Sequence, residues 1–85
     1  MNEQELQELK QEETQRKLMQ ESLERLKLNM DFQILCRELT RIREILEEQI
    51  HDEEKTDTEI RRMLLRSNTI KLFLELPDDL LEQVR

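Results

Sequence analysis

The residues with the greatest chemical potential in this 85-residue chain are its one histidine and its one cysteine. Glu48 precedes His51 by three residues, the spacing at which one turn of helix offers two ligands to a di-iron site in a four-helix bundle. Such a site also needs a second Glu-x-x-His pair and two further glutamates. One chain supplies only one pair, so a metal-binding bundle would have to be completed by other copies and is kept as an alternative.

No other pattern points to catalysis. The chain contains no glycine, so a glycine-rich phosphate loop is excluded. With one histidine and one cysteine, we expect neither an internal catalytic triad nor a zinc cluster. Cys36 follows two apolar residues and is interpreted as a small hydrophobe in a helical core. We therefore predict a protein that is not an enzyme and needs no cofactor or metal.

Composition limits the partners of the chain. Charged residues make up 41% of it and the formal net charge is −7, whereas binding to nucleic acid requires a basic stripe. No apolar run exceeds three residues, so no membrane-spanning helix is expected. The acidic start of the sequence differs from a signal peptide, and a lone cysteine suits a reducing compartment. These features predict an intracellular protein that binds neither nucleic acid nor membranes.

The elements that carry these residues are predicted to be helices. Glu, Gln, Leu, Lys and Arg dominate the chain, and neither glycine nor proline occurs before Pro77, which favours an all-α fold. We divide the chain into a polar helical extension over 1–17, a coiled-coil segment over 18–66 and an apolar carboxyl-terminal segment over 67–85. The fold expected is a long amphipathic helix that forms a coiled coil or helical bundle with other chains.

A heptad pattern marks the expected binding surface. Steps of four and three from Leu28 meet apolar residues through two long blocks, and such a stripe faces a partner helix in a left-handed supercoil. The predicted partner-binding residues are Leu28, Phe32, Leu35, Leu39, Ile42, Leu46, Ile60, Met63, Ile70 and Leu74. Before Leu28 the apolar residues follow a different register, which predicts a stutter or a change of partner near residues 26–32.

The positions beside this stripe are also apolar. They comprise Cys36, Ile45, Ile50, Leu64 and Phe73, where a two-stranded coiled coil usually carries charge. An apolar face of this width is typical of a three- or four-helix bundle, or of a helix that contacts two partners.

A polar segment over residues 51–59 has two interpretations. In one, a single helix continues through it and places polar layers in the core. In the other, the helix ends near Ile50 and a new one begins at Thr56, where Thr56 and Glu59 match a capping box. We favour the continuous helix, because the flanking blocks differ in length and no glycine or asparagine marks a turn.

The carboxyl-terminal segment is predicted to be interrupted twice. Ser67, Asn68 and Thr69 compete with the helix backbone for hydrogen bonds, which favours a break there. Residues 70–76 alternate in polarity like a strand but also continue the heptad, and we favour helix because the chain offers no partner strand. Pro77 is expected to end that element and to open a short new helix.

The function predicted from these patterns is assembly. In a parallel homodimer Asp52 would face Asp57 and Arg66 would face Lys71, and both pairs repel. We therefore expect a scaffold or oligomerisation subunit that binds helices of a different chain. The alternatives are an antiparallel homo-oligomeric bundle, the metal-binding bundle, and a rod that carries residues 70–85 as a docking peptide.

Overall fold

The computed structural model describes residues 2–85 and contains three helices in that part of the chain. They are α1 (Glu3–Leu28), α2 (Met30–Ile50) and α3 (Asp57–Val84), and no strand occurs among the described residues. The all-α prediction is therefore confirmed, and residues 70–76 are helical, as favoured over a strand.

The helices form a long, flat body. α1 and α2 follow one another end to end, and α3 turns back along α2 and the last part of α1, within an envelope of 67 × 28 × 14 Å. The antiparallel register is fixed by two contacts: the rings of Phe32 and Phe73 lie 6.4 Å apart, and Lys27 forms an ion pair with Asp78. Part of the apolar stripe is therefore covered by the same chain.

Asn29 separates α1 from α2. Its backbone is extended, with φ −68° and ψ 126°, and its side chain caps α2 by accepting a 2.9 Å hydrogen bond from the backbone N–H of Phe32. Gln33 spans the break, because its amide Nε2 donates to the otherwise unpaired carbonyl of Lys27 at 3.0 Å. This break lies within residues 26–32, where the sequence predicts a change of register.

The polar segment is a turn, so the favoured prediction of a continuous helix is wrong. α2 ends at Ile50, and α3 begins at Asp57 behind the capping box of Thr56 and Glu59. The backbone N–H of Glu59 donates to the Thr56 hydroxyl at 3.2 Å, and the Glu59 carboxylate accepts from the Thr56 N–H at 3.4 Å. Asp52 supports the turn by accepting from the N–H of Glu54 at 3.0 Å. Side-chain caps replace the glycine that this turn lacks.

α3 runs unbroken through Ser67, Asn68, Thr69 and Pro77, so both predicted interruptions are wrong. Thr69 is accommodated within the helix, where its hydroxyl donates to the carbonyl of Leu65 at 2.8 Å. Pro77 removes one helical hydrogen bond, to the carbonyl of Phe73. Its ring is buried in the structure, and burial of that apolar surface offsets part of the backbone cost.

The interface between α3 and its neighbours follows a strict alternation of three and four residues. The positions of α3 that are buried or partly buried in this alternation are Ile60, Met63, Ser67, Ile70, Leu74, Pro77, Leu81 and Val84. Ser67 is the small member of the set and is itself buried, so it admits the neighbouring helix closely. The heptad predicted for this block is therefore the real seam of the fold.

The first part of α1 projects beyond the other helices. Residues 2–19 are exposed throughout, whereas Leu23, one turn beyond, is buried. We call residues 3–19 the overhang. No helix of the described chain is both long and apolar enough to cross a membrane.

Candidate protein interface

The predicted partner-binding residues divide into two groups in the structure. Leu28 and Leu35 are exposed, at 79% and 46% of their surface. The other eight are buried or partly buried, mostly between α2 and α3: Phe32, Leu39, Ile42, Leu46, Ile60, Met63, Ile70 and Leu74. The stripe that was expected to contact another chain thus serves largely to hold α2 and α3 together. We call this antiparallel pair of helices the hairpin.

The α2 helix is rotated about its own axis relative to the predicted heptad register. Phe32, Leu39 and Leu46 face α3 as expected, and Cys36 takes the place of Leu35, which is exposed. Ile42 stays partly buried, and Arg43 is partly buried beside it. This rotation brings the aliphatic stem of Arg43 into the interface, and its guanidinium Nε lies 3.2 Å from a carboxylate oxygen of Glu47. This Nε has no hydrogen-bond partner, so the contact with Glu47 is an ion pair without a hydrogen bond.

The rotation leaves a second apolar surface on the side of α2. Leu35, together with Leu39, forms one wall of an open groove, and Thr69, Ile70 and Phe73 of α3 form the other. We call it the lateral groove, and it has a volume of about 330 Å³. Thr69 and Phe73 are absent from the sequence-derived set, although Phe73 stands at an apolar position beside the heptad, which was the available signal.

Charged residues flank this groove with opposite sign on its two walls. On α2, Asp31 lies four residues before Leu35 and Glu38 three residues after it, which places all three on one face. On α3, Arg66 lies seven residues before Phe73 on the same face, and Arg62 lies one turn earlier. The α2 wall is therefore acidic at its edges and the α3 wall is basic.

Glu38 is already engaged on the surface. The Nε of Arg41 donates to its carboxylate at 3.1 Å. This hydrogen bond, reinforced by the positive charge, lowers the pKa of Glu38 and raises that of Arg41. Both side chains are exposed, so the pair contributes little to stability and can exchange partners.

A hollow on the opposite side of the hairpin has a mixed lining and a volume of about 350 Å³. Its polar lining residues are Lys27, Gln33, Arg37 and Asp78, and its apolar ones are Phe32, Cys36, Leu74 and Pro77. Cys36 is partly buried and free, in accordance with its interpretation as a small packing residue. The Lys27–Asp78 ion pair and the Gln33 hydrogen bond occupy the polar groups at this edge, so the hollow is a junction of the three helices.

A third surface lies on the outside of α3, away from α2. Leu65, Leu72 and Leu76 are exposed there at helical spacing. Polar residues stand between and around them, namely Asn68, Lys71 and Asp79, so these leucines are separated and line no groove. The lateral groove is the more continuous apolar surface.

The residues considered as metal ligands lie at the end of α2, next to the turn. Glu44, Glu47, Glu48 and His51 surround a shallow surface depression at the end of α2. Within residues 2–85 no group of three or more His, Cys, Asp or Glu side chains has a geometry that could hold a metal ion. A metal centre at Glu48 and His51 would therefore depend on ligands from other chains.

Neither a protein-family model, nor a curated protein, nor a solved structure matches this chain significantly. Function has to be inferred from the chain's own surface.

Proposed function

We propose that this protein is a non-enzymatic assembly subunit that binds partner helices through the lateral groove of Leu35, Leu39, Ile70 and Phe73. The proposal rests on how many of the large apolar side chains are exposed and how few are buried. Among the described residues, fifteen large apolar side chains are exposed and only three are buried. Helices whose apolar faces remain in water are stabilised by a further helix that covers them.

The amount of exposed surface supports the same function. The accessible surface is 7410 Å², about 2,000 Å² more than a compact monomer of this mass exposes. A standard protein interface buries roughly 800 Å² on each partner. The excess of the whole chain is therefore larger than one such interface, and the exposed overhang contributes part of it.

The relative direction of the helices limits which partners can bind the groove. Side-by-side parallel copies of α3 would bring Arg66 and Lys71 together, so a different chain or an antiparallel arrangement fits the groove better. We propose that the assembly belongs to an intracellular multi-subunit complex. The groove would accept an amphipathic helix whose apolar residues recur at three- and four-residue spacing.

The test is the native mass of the tagged full-length chain purified from the cells that make it. We expect a species heavier than the 10.5 kDa chain, and we expect Leu35→Asp to reduce it to the monomer mass, because a carboxylate cannot be buried unpaired. Leu39→Asp and Ile42→Asp would be poor probes, since both positions also face α3.

Leu72→Asp is the matched control, because Leu72 is 66% exposed on the outside of α3. It places the same charge on the same residue type outside the groove, and its mass should equal that of the wild type. A wild-type chain that purifies only as a monomer would contradict the proposed function.

A further inference from the structure

We infer that the occupant of the lateral groove is a second copy of this chain, so that two hairpins form an antiparallel four-helix bundle. This inference rests on the proposed function and names the partner of the same groove. The twofold axis runs parallel to the helices, between the two facing grooves. α2 of each copy then lies on α3 of the other, antiparallel to it.

The two apolar walls of the groove can pack against each other in a twofold interface. A twofold interface brings one surface patch against the same patch of the other copy, so the two walls must be complementary to each other. Leu35 on one wall and Phe73 on the other are both large and partly exposed. Facing grooves would bury the Leu35 side of α2 against the Phe73 side of α3 twice, which gives every helix of the bundle two antiparallel neighbours.

The charges on the two walls are complementary in the same arrangement. Phe32 lies opposite Phe73 and Lys27 opposite Asp78, so the antiparallel register places Glu38 level with Arg66. A twofold axis parallel to the helices preserves this level, and Glu38 of each copy therefore meets Arg66 of the other. Opposite charges at the rim of an interface fix its register and suppress wrong pairings.

The same arrangement removes the repulsion that disfavours a parallel homodimer. Identical helices stand diagonally across the bundle and do not touch side by side. Between Ile60 and Leu74, α3 carries four basic residues and no acidic one, so two adjacent copies of it would repel. Each α3 instead lies between two copies of α2, whose groove edges carry Asp31 and Glu38.

The decisive experiment exchanges the charges of the proposed pair in the full chain. Glu38→Arg and Arg66→Glu are purified separately, and dimer formation is measured by light scattering and sedimentation over a dilution series. Each variant alone would place like charges together twice per dimer, and we expect each to weaken self-association by about tenfold. The wild type is expected at twice the 10.5 kDa chain mass.

Mixing the two variants separates a contact between copies from a contact within one copy. In the mixed dimer the arginine introduced at position 38 meets the glutamate introduced at position 66, and the unchanged Arg66 of one copy meets the unchanged Glu38 of the other. Both pairs attract, so wild-type association should return. Circular dichroism of each variant alone checks that the hairpin is folded. Single variants that weaken association without rescue on mixing would overturn the proposed pairing, and so would single variants that associate as tightly as the wild type.

Arg61→Glu serves as the charge control, since Arg61 belongs to the same helix but lies away from the groove edge defined by Arg62 and Arg66. It should leave the dimer unchanged. A purified wild-type chain that stays monomeric throughout the dilution series, while the cell-derived chain is part of a larger species sensitive to Leu35→Asp, overturns the second copy and leaves the proposed function standing.

Discussion

The overhang and the hairpin are built from the same residue types but are stabilised in different ways. Leu9 in the overhang and Leu81 in α3 are both leucines within helices, yet they are 43% and 2% exposed. The difference is the neighbouring helix, which reaches Leu23 and stops short of residues 2–19. A helix without a neighbour depends on its intrinsic propensity, whereas packing holds the hairpin together.

The sharpest test of this comparison removes one leucine from each region. Leu81→Ala leaves a cavity in the hairpin and should lower the free energy of unfolding by about 3 kcal/mol. Leu9→Ala should leave it unchanged, because no packing is lost and alanine is at least as good a helix former. Urea unfolding followed by circular dichroism measures both. Equal losses in the two variants would show that the overhang is packed as well.

At Pro77 the helix is maintained by side-chain packing, although proline disfavours a helix interior. Pro77→Ala restores the hydrogen bond to the Phe73 carbonyl and removes a steric clash, together worth about 3 kcal/mol. It also loses a buried ring, so we expect a net gain of about 1 kcal/mol. Thermal unfolding measures the change. A lower melting temperature in the alanine variant would mean that burial of the ring outweighs the backbone cost.

Two threonines compare a helix start in the hairpin with a helix interior in the overhang. Thr56→Ala removes the cap of α3 and should cost about 1 kcal/mol. Thr14 donates to the carbonyl of Lys10 at 2.8 Å inside α1, a contact that adds little, so Thr14→Ala should be neutral. Chemical denaturation of the two variants side by side gives both values. Equal losses of unfolding free energy in Thr14→Ala and Thr56→Ala would contradict this comparison.

The smallest effect is expected at Glu38. Its pKa is lowered in the folded chain by the hydrogen bond from Arg41, so the pair stabilises the fold above the ordinary carboxylate pKa. That contribution is lost as the pH falls through the lowered value. Glu38→Gln should remove this small part of the acid dependence, as measured by melting temperature from neutral to acidic pH. An unchanged pH profile would show that the exposed pair has no measurable effect.

Sequence reasoning succeeded where local pattern and packing agree. The heptad of α3 is the observed seam. The capping box at Thr56, which belonged to the less favoured interpretation, is the observed start of that helix. It failed at the turn, because polar caps at Asp52 and Thr56 replace the glycine that usually marks one. It failed again at Pro77, since the packing around a buried ring is decided by a helix far away in the chain.

The candidate interface could be predicted only in part. Leu35 was predicted to bind a partner, and the structure leaves its side chain exposed. Phe73 and Thr69 were missed because the side of α3 that remains open depends on how α2 rotates about its own axis. The seam positions of Cys36 and Arg43 determine that rotation, and neither residue is one that a hydrophobic pattern selects.

The ion pair between Lys27 and Asp78 has a geometric consequence. It joins the end of α1 to α3 just before the Asn29 break, close to the buried side chain of Leu23, which packs the base of α1. The seventeen residues of the overhang then extend about 25 Å at 1.5 Å per residue. The overhang therefore projects by about this length from the packed hairpin, and any group attached at its tip lies at that distance from it.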